Sequence, residues 1–561
     1  MTNSAIADNF SLLSKLMDIH GENSFKSKSY SIAAFTIENL PQELSSVDRN
    51  KIAAIKGIGD SVANKIVEQL DTESLSILDE YISKTPPGII EMLQNIKGLG
   101  PKKIATVWKE MEIETVGELL YACNENRLTL FKGFGEKTQL SIKNSIEFYF
   151  STFGNYLYAQ IETYAMSFDK MLQAQFKNEQ FVMVGDFKRQ LNIIDKIEWV
   201  TTSTKKTLVD FFVTNHYKIQ TEDEMHISFK GAENVLLQFY LTNKTKLAYQ
   251  QFLKNGSKEF LSYWQNNLIL DINKNYQNEE EIFAINQVDF IPIYKRETIN
   301  TIELAKNNLL PKSINTNDIK GIIHCHSRWS DGSNSLAEMA YAAKEKGLEY
   351  LVISDHSKTA FYAQGLQVER VIAQQQEIEE LNKKLAPFKI FKSIESDILN
   401  DGSLDYENEI LQTFDIVIAS VHSNLSMPED KAMMRLINAI ENPYTSILGH
   451  LTGRLLLSRN GYPIDHEKII DACAYNNVVI ELNAHPRRLD IDWKWIDKAL
   501  DKGVLISINP DAHNIEGFDD CKYGVLVAQK TLLTPEKNLS SFSLEQFENF
   551  IVQQHLKRNS H

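Results

Sequence analysis

Between residues 320 and 513 the sequence repeats one unit, a short apolar, β-branched run followed by a stretch with helical spacing. The runs are KGIIHCH, YLVISDH, FKIFKSIES, DIVIASVH, TSILGH, NVVIELNA and VLISINPDAH. Patterns such as SLAEMAYAAKEKG, ERVIAQQQEIEELNKKL and DHEKIIDACAYNN separate most of them. A strand that is apolar along its whole length must be covered on both faces, and alternating strand–helix units provide that cover around a parallel sheet. The seven runs predict a sheet that closes into a (β/α) barrel, whose functional residues gather where the strands end.

Each run ends in a residue that can bind a metal or a polar ligand. The first gives His324 and His326, with Asp331 in the loop beyond; the second gives Asp355 and His356; the third gives Glu395 and Asp397. His422 and His450 end the fourth and fifth, Glu481 and Asn483 the sixth, and Asp511 and His513 the seventh. In extended strand, side chains two apart share a face, so His324 and His326 are expected to point together, as are Asp511 and His513. Any one of these histidines reads more readily as a hydrogen-bonded structural residue. The set, brought to one end of a barrel, does not. Imidazole mixed with carboxylate suits Zn, Mn or Fe.

The first 150 residues carry a different repeat: AIKGIGDSVANKI, NIKGLGPKKIATVW and LFKGFGEKTQLSI. Each copy has an apolar residue, Lys, Gly-x-Gly and then a helical pattern, with glycine pairs Gly57/Gly59, Gly98/Gly100 and Gly133/Gly135. A Gly-x-Gly turn at a helix start lets the backbone come close to a ligand and exposes free N–H groups, for which phosphate oxygens are natural acceptors. Both glycines of each pair are therefore expected at the DNA. The copies resemble helix–hairpin–helix elements, which hold the DNA backbone without reading bases. Lys102 and Lys137, just past the second and third turns, are the side chains expected to meet phosphates.

The net charge of −15 speaks weakly against nucleic acid, but net charge constrains steering and solubility, not local sites. At 561 residues the chain is too long for one core. No apolar run is long enough to span a membrane, and the N-terminus lacks the basic-then-apolar pattern of a secretory signal. The four cysteines are far apart, as expected for core thiols in a reducing cytoplasm. A cytoplasmic, nucleoid-associated monomer is expected. Between the two repeats, FVMVG, KTLVDFFV, HISFKG and NVLLQFYLT read as strands, and NLLPKSINTNDIK reads as a linker.

HCHSRWSDGS, ISDHS, IESDILNDGSLDY, ASVHSN, LGHLTGRL, IELNAHPRRLD and INPDAH resemble the motifs of PHP (polymerase and histidinol phosphatase) domains. The variant they resemble is the one fused to bacterial X-family DNA polymerases, and the resemblance spans the whole chain. It implies nine ligands, at His324, His326, Asp331, His356, Glu395, His422, His450, Asp511 and His513, around three divalent metals. One metal would take His324, His326, Glu395 and Asp511, and a second Asp331, His356 and His513. The third would take His422 and His450, with Glu395 bridging. Arg454 and Arg488 are candidate phosphate clamps, by the fit of guanidinium to phosphate. The family has an Asn-like residue where this chain has His485.

The same resemblance implies a fold of several parts. Residues 1–85 would be a helical, lyase-like DNA-end-binding domain, 86–155 a fingers-like domain with two hairpins, 156–245 a palm, 246–305 a thumb, 306–318 a linker and 319–561 a distorted seven-stranded PHP barrel. X-family palms carry Gly-Ser followed by Asp-x-Asp and a third Asp on a neighbouring strand, which hold two Mg²⁺. Here Gly185 is followed by Asp186, the paired positions fall on Lys196 and Glu198, and the third falls near Leu236. Lysine and leucine supply no Mg²⁺ ligand, so the palm is expected to be catalytically dead, its KNGSKEF segment marking descent alone. Lys65 matches the position of a lyase nucleophile, while Ser61 stands where a second helix lysine is usual. The function implied is a DNA-repair nuclease acting on gapped, nicked or 3′-ended DNA, chiefly a 3′–5′ exonuclease with abasic-site endonuclease or 3′-phosphatase action as variants. The alternatives are an active gap-filling polymerase, a small-molecule phosphatase of the histidinol phosphate type, and a non-catalytic DNA-binding scaffold.

Overall fold

The computed structural model describes residues 1–38, 40, 42–151, 153–231 and 233–559, the side chains of Ser4 and Ser151 excepted. The chain divides into two compact units, Met1–Asn124 with Leu128–Tyr149, and Glu125–Arg127 with Phe150–His561.

The first unit is helical. In each glycine repeat the first glycine has a left-handed φ (95°, 87° and 95° at Gly57, Gly98 and Gly133), a conformation that a Cβ would strain. The second glycine leads directly into a helix: Asp60–Thr72, Pro101–Lys109 or Glu136–Ser151. The residue between them, Ile58, Leu99 or Phe134, is buried. A Cβ on Gly98, Gly100, Gly133 or Gly135 would meet nothing within 4 Å. The second and third turns are therefore pinned by their middle residue while their backbone faces open space. Lys102 and Lys137 are exposed beside them.

The two glycines of a pair differ in what the backbone asks of them. Gly59 has a φ of −87°, which any residue adopts, and a Cβ there would meet nothing within 4 Å. Neither backbone strain nor crowding from the protein therefore demands glycine at this position. What Gly59 does is precede the helix Asp60–Thr72 without capping it through a side chain. Gly100, with a φ of −86°, is alike. Gly57 differs from its two counterparts as well, because a Cβ there would lie 2.9 Å from the Thr36 hydroxyl.

In the second unit, β1 (Tyr156–Leu157) pairs with β3 (Ile193–Ile194). A five-stranded sheet follows, built from β2 (Phe181–Val184), β4 (Lys196–Thr201), β5 (Lys218–Glu222), β6 (His226–Lys230) and β7 (Leu236–Leu241), in the order β2-β4-β7-β6-β5. β4 and β7 run parallel, with Lys196 opposite Leu236 and Glu198 opposite Gln238. KTLVDFFV, expected as a strand, is instead part of the helix Lys205–Thr214. The Thr204 hydroxyl accepts the Thr207 N–H and caps it, and Leu208 and Phe212, four apart, bury one face. Phe212 stacks on Phe229, ring centres 4.3 Å apart. An N-cap and a three-turn apolar stripe outweigh the strand preference of its β-branched and aromatic residues.

All seven barrel strands form as read: β8 (Gly321–Ile322), β9 (Tyr350–Ile353), β10 (Lys389–Asp397), β11 (Ile416–Ser420), β12 (Ile447–Leu448), β13 (Val479–Asn483) and β14 (Ile506–Asn509). They are parallel and lie in sequence order. A bridge between Cys325 and Ala512 brings the first and last strands together and nearly closes the ring. Alternation explains the filling. Val417, Ala419, Leu448, Ile480 and Leu482 pack toward the helices. Tyr350, Val352, Phe391, Ile416, Ile418, Ile447 and Val479 form a separate cluster with Leu539 and Phe547 of the C-terminal region. Phe547 stacks on Tyr350, 4.5 Å between ring centres, and so stops the end where the strands begin. Continuing each register in steps of two leads from Tyr350 to His356, from Phe391 to Glu395, from Ile418 to His422 and from Val479 to Glu481. The interior thus changes along its own length from apolar side chains to imidazoles and carboxylates. All four cysteines are buried and free. Among the described residues no helix is long and apolar enough to cross a membrane.

Candidate metal centre

Glu395, at the end of β10, is the hub. Its Oε1 lies 3.2 Å from His324 Nε2, 3.1 Å from His422 Nε2 and 2.9 Å from His450 Nε2. Its Oε2 lies 2.9 Å from His356 Nδ1 and 3.7 Å from His326 Nε2. Asp511 Oδ1 is 3.1 Å from His326 Nε2 and 3.4 Å from His324 Nε2. Asp331 faces His513 Nε2 at 3.3 Å and His356 Nε2 at 3.6 Å. All nine sequence-predicted residues therefore converge, and all but His422 are almost fully buried.

The alternation used to place His324 beside His326, and Asp511 beside His513, does not hold at these positions. His324 (φ 64°) and Asp511 (φ 53°) are left-handed, so the chain leaves the extended form there. A non-glycine residue in that region stores strain of about 1–3 kcal/mol, and such strain collects at functional sites. The two pairs do converge, by a backbone turn.

Neighbouring groups fix how the histidines are turned. Glu481 Oε2 takes the His324 Nδ1 proton at 2.6 Å, Asp397 Oδ1 takes that of His422 Nδ1 at 2.5 Å, and the Asp511 carbonyl takes that of His513 Nδ1 at 3.0 Å. Each of these turns an Nε2 inward, the orientation a metal ligand requires. Asp355 accepts hydrogen bonds from the Ser327 amide and hydroxyl and from the Gln374 amide, and so ties down the loop that carries Asp331. Glu481, Asp397 and Asp355 stood out in the sequence as strand-end acids, but their orienting role needed coordinates. Burial drives His356 down to about 4. Burial also opposes the charge on His422, but Glu395 and Asp397 carry it up to about 10. Glu395 and Asp511 sit well below the usual carboxylate range, because their histidines outweigh burial.

The donors fit divalent metal. His324 Nε2, His326 Nδ1, both ring nitrogens of His356, Asp331 Oδ2, Glu395 Oε2 and His513 Nε2 are buried and make no hydrogen bond, a costly arrangement unless a cation satisfies them. Groups with ligand atoms within 4.8 Å of one another include His326/Asp331/His356/His513, His324/His326/Asp511 and His356/Glu395/His422.

The two arginines differ. Arg454 donates to the Arg488 carbonyl at 3.0 Å, to Asp492 at 2.6 Å and to the Leu489 carbonyl, so its guanidinium fastens the loop and is not open to a phosphate. Arg488 is buried with Nε 3.7 Å from Asp511 Oδ2, at the edge of the centre. His485 accepts the Arg487 amide at 3.2 Å on Nδ1, and burial drives it down to about 3.

In the five-stranded sheet, Glu198 is buried, accepts the Tyr240 hydroxyl at 2.7 Å and lies 3.4 Å from Lys196 Nζ. A Cβ on Gly185 would collide with its carboxylate. Lys254 Nζ sits 3.8 Å from the centre of the Tyr240 ring. Leu236 and Gln238, opposite Lys196 and Glu198, supply no acid. Asp195, the acid next to Lys196 in sequence, falls at a bend between β3 and β4. Lys65, in the first unit, is half-buried in the helix Asp60–Thr72 that follows Gly59.

Comparison with known proteins matches residues 1–75 to the helix–hairpin–helix domain family, 90–147 to the SAM-like helix–hairpin–helix tandem family and 323–485 to the PHP domain family. The DNA polymerase/3′-5′ exonuclease PolX of Bacillus subtilis is 31% identical over 97% of this chain and 97% of its own. A probable phosphatase of Caldanaerobacter subterraneus is 30% identical over 33% of this chain and 74% of its own. One from Caldicellulosiruptor saccharolyticus is 30% identical over 41% and 94%.

Proposed function

Since the chain belongs to the PolX family, we propose that its barrel hydrolyses DNA phosphodiesters from 3′ ends, while the hairpin turns grip the DNA backbone and the palm no longer polymerises. The observation that carries this reading is the convergence of nine candidate ligands, Glu395 and Asp511 at their middle, several of them buried without a hydrogen-bond partner. Three divalent ions fit the donor grouping, with Mn²⁺ or Zn²⁺ favoured by mixed imidazole and carboxylate. When bound they would supply Lewis acidity toward the phosphoryl oxygens and activate water. The protein's own part is orientation: Glu481 and Asp397 hold His324 and His422, and Arg488 stands where a non-bridging oxygen could be met.

The division of labour follows the domains expected from sequence, with 1–155 holding DNA, 156–305 a relic of the polymerase and 319–561 the nuclease. Inactivity of the palm is supported by Lys196 and Leu236 at acid positions and by Glu198 being taken up by Tyr240 and Lys196. Purified protein is expected to shorten end-labelled gapped DNA from the 3′ terminus, and His324→Ala with His326→Ala to stop it; undiminished digestion by the double variant rejects the assignment. Template-dependent primer extension that Asp195→Asn abolishes would reverse the reading of the palm.

A phosphatase reading draws on the relatives named probable phosphatases, which match the barrel third of the chain. It predicts faster turnover of small phosphomonoesters than of DNA. Lys65 extends the proposal to abasic ends: borohydride trapping on abasic DNA, lost in Lys65→Ala, supports it, and unchanged trapping removes Lys65.

A further inference from the structure

One acid at the barrel end comes from far outside the barrel sequence. Glu125, in the segment that follows the helix Val116–Asn124, belongs to the same compact unit as the barrel. It is 2% exposed, and its Oε2 lies 2.7 Å from His513 Nε2 yet accepts no hydrogen bond. Its carboxylate, Asp511 and His513 offer ligand atoms within 4.8 Å of one another. Asn126 turns the chain with a left-handed φ of 55°, and Arg127 follows, Nε 3.4 Å from Asp331 Oδ2 and its guanidinium 4.9 Å from the centre of the Tyr362 ring.

The chemistry at His513 narrows what Glu125 is for. His513 Nδ1 lies 3.0 Å from the Asp511 carbonyl, which has no proton to give, so Nδ1 must be the donor. Nε2 therefore faces both Glu125 Oε2 and Asp331 Oδ1, at 2.7 and 3.3 Å. A ring nitrogen and two carboxylate oxygens in a buried space repel unless a proton or a metal ion lies between them. Metal–nitrogen and metal–oxygen bonds of about 2.0–2.2 Å put adjacent ligand atoms roughly 3 Å apart, close to the spacing here.

We propose that Glu125 is a further ligand of the metal centre, on an ion shared with His513, so that a residue from the amino-terminal third of the sequence completes a site otherwise built by the barrel. This inference rests on the metal-centre reading above. Its consequence is that the barrel alone binds that ion more weakly than the full chain does.

Full-length wild type, Glu125→Gln and Glu125→Asp, stripped with chelator, are titrated with MnCl₂ and the bound ion counted by elemental analysis and electron paramagnetic resonance. The amide keeps the shape of Glu125 and removes its charge; the shorter acid keeps the charge. The expected result for Glu125→Gln is loss of one equivalent, or a fall in affinity of about 10–100-fold or more at one site, with partial recovery in Glu125→Asp and thermal melting of the metal-free proteins unchanged. Mn²⁺ number and affinity equal to wild type in Glu125→Gln overturns the role of Glu125 and leaves the centre standing. Failure of the wild type itself to bind Mn²⁺ sinks both. Should Glu125→Gln not fold, Glu125→Asp decides alone: weakened binding supports the proposal and unchanged binding overturns it.

Discussion

The barrel end and the five-stranded sheet both gather carboxylates beneath a turn of backbone, and they treat them in opposite ways. Glu395 faces the rings of His324, His326, His356, His422 and His450. Glu198 faces an ammonium group and a phenol, Lys196 and Tyr240. An imidazole whose outer nitrogen is held by Glu481 or Asp397 can offer its other nitrogen to a metal and would share the carboxylate with it. A lysine beside a carboxylate takes the place a cation would fill, because its own positive charge is already there. The electrical character of the neighbours separates the two buried glutamates.

Substitutions that reverse those neighbours test the contrast. His324→Ala with His326→Ala removes two donors and several kcal/mol of transition-state stabilisation, which at 1.36 kcal/mol per decade is a drop of about a thousand-fold or more in 3′-end hydrolysis. Glu481→Gln leaves every donor in place but loosens the hold on His324 and on the His450 amide, Asn483 and Asn509, from which Glu481 also accepts hydrogen bonds, so Mn²⁺ affinity by titration should fall about 10–100-fold. In the other region, Tyr240→Phe takes the hydroxyl from the buried Glu198 and should lower stability by roughly 1–3 kcal/mol, read as a lower melting temperature. DNA hydrolysis should stay at the wild-type rate; a loss there would mean that the sheet serves the nuclease after all. The smallest effect is expected at the hairpins, where Lys102→Ala and Lys137→Ala should each lower the salt dependence of DNA binding by about one phosphate contact. Hydrolysis of a small phosphomonoester should not change.

The sequence was legible where chemistry and periodicity coincide. Each of the seven apolar runs became a strand, and every histidine or acid taken as a ligand sits at the barrel end, because a strand that must be covered on both faces admits few other solutions. The glycine repeats were half legible. Gly57, Gly98 and Gly133 occupy conformations that few other residues tolerate, whereas Gly59 and Gly100 have ordinary backbone angles that the spacing alone could not distinguish. KTLVDFFV was misread because its β-branched and aromatic residues favour strand, and the cap at Thr204 decides locally what the composition leaves open. The left-handed His324 and Asp511 could not be foreseen, as that conformation is imposed by the contacts it creates. Glu125 carried no signal at all: it lies within a helical region, with nothing nearby in the sequence to suggest a histidine nearly four hundred residues further on, and only the folded chain puts it against His513.

The near-closure of the ring through Cys325 and Ala512 has a consequence in time. His326 and Asp511 are partners 185 residues apart, supplied by the first and last strands. At a synthesis rate of about 5–20 residues per second, His326 waits roughly ten to forty seconds for Asp511 to be made. For that interval the first strand exists without the last, so the ring cannot close and the residues at its end cannot come together. Completion of the site is thus delayed until the last strand pairs with the first.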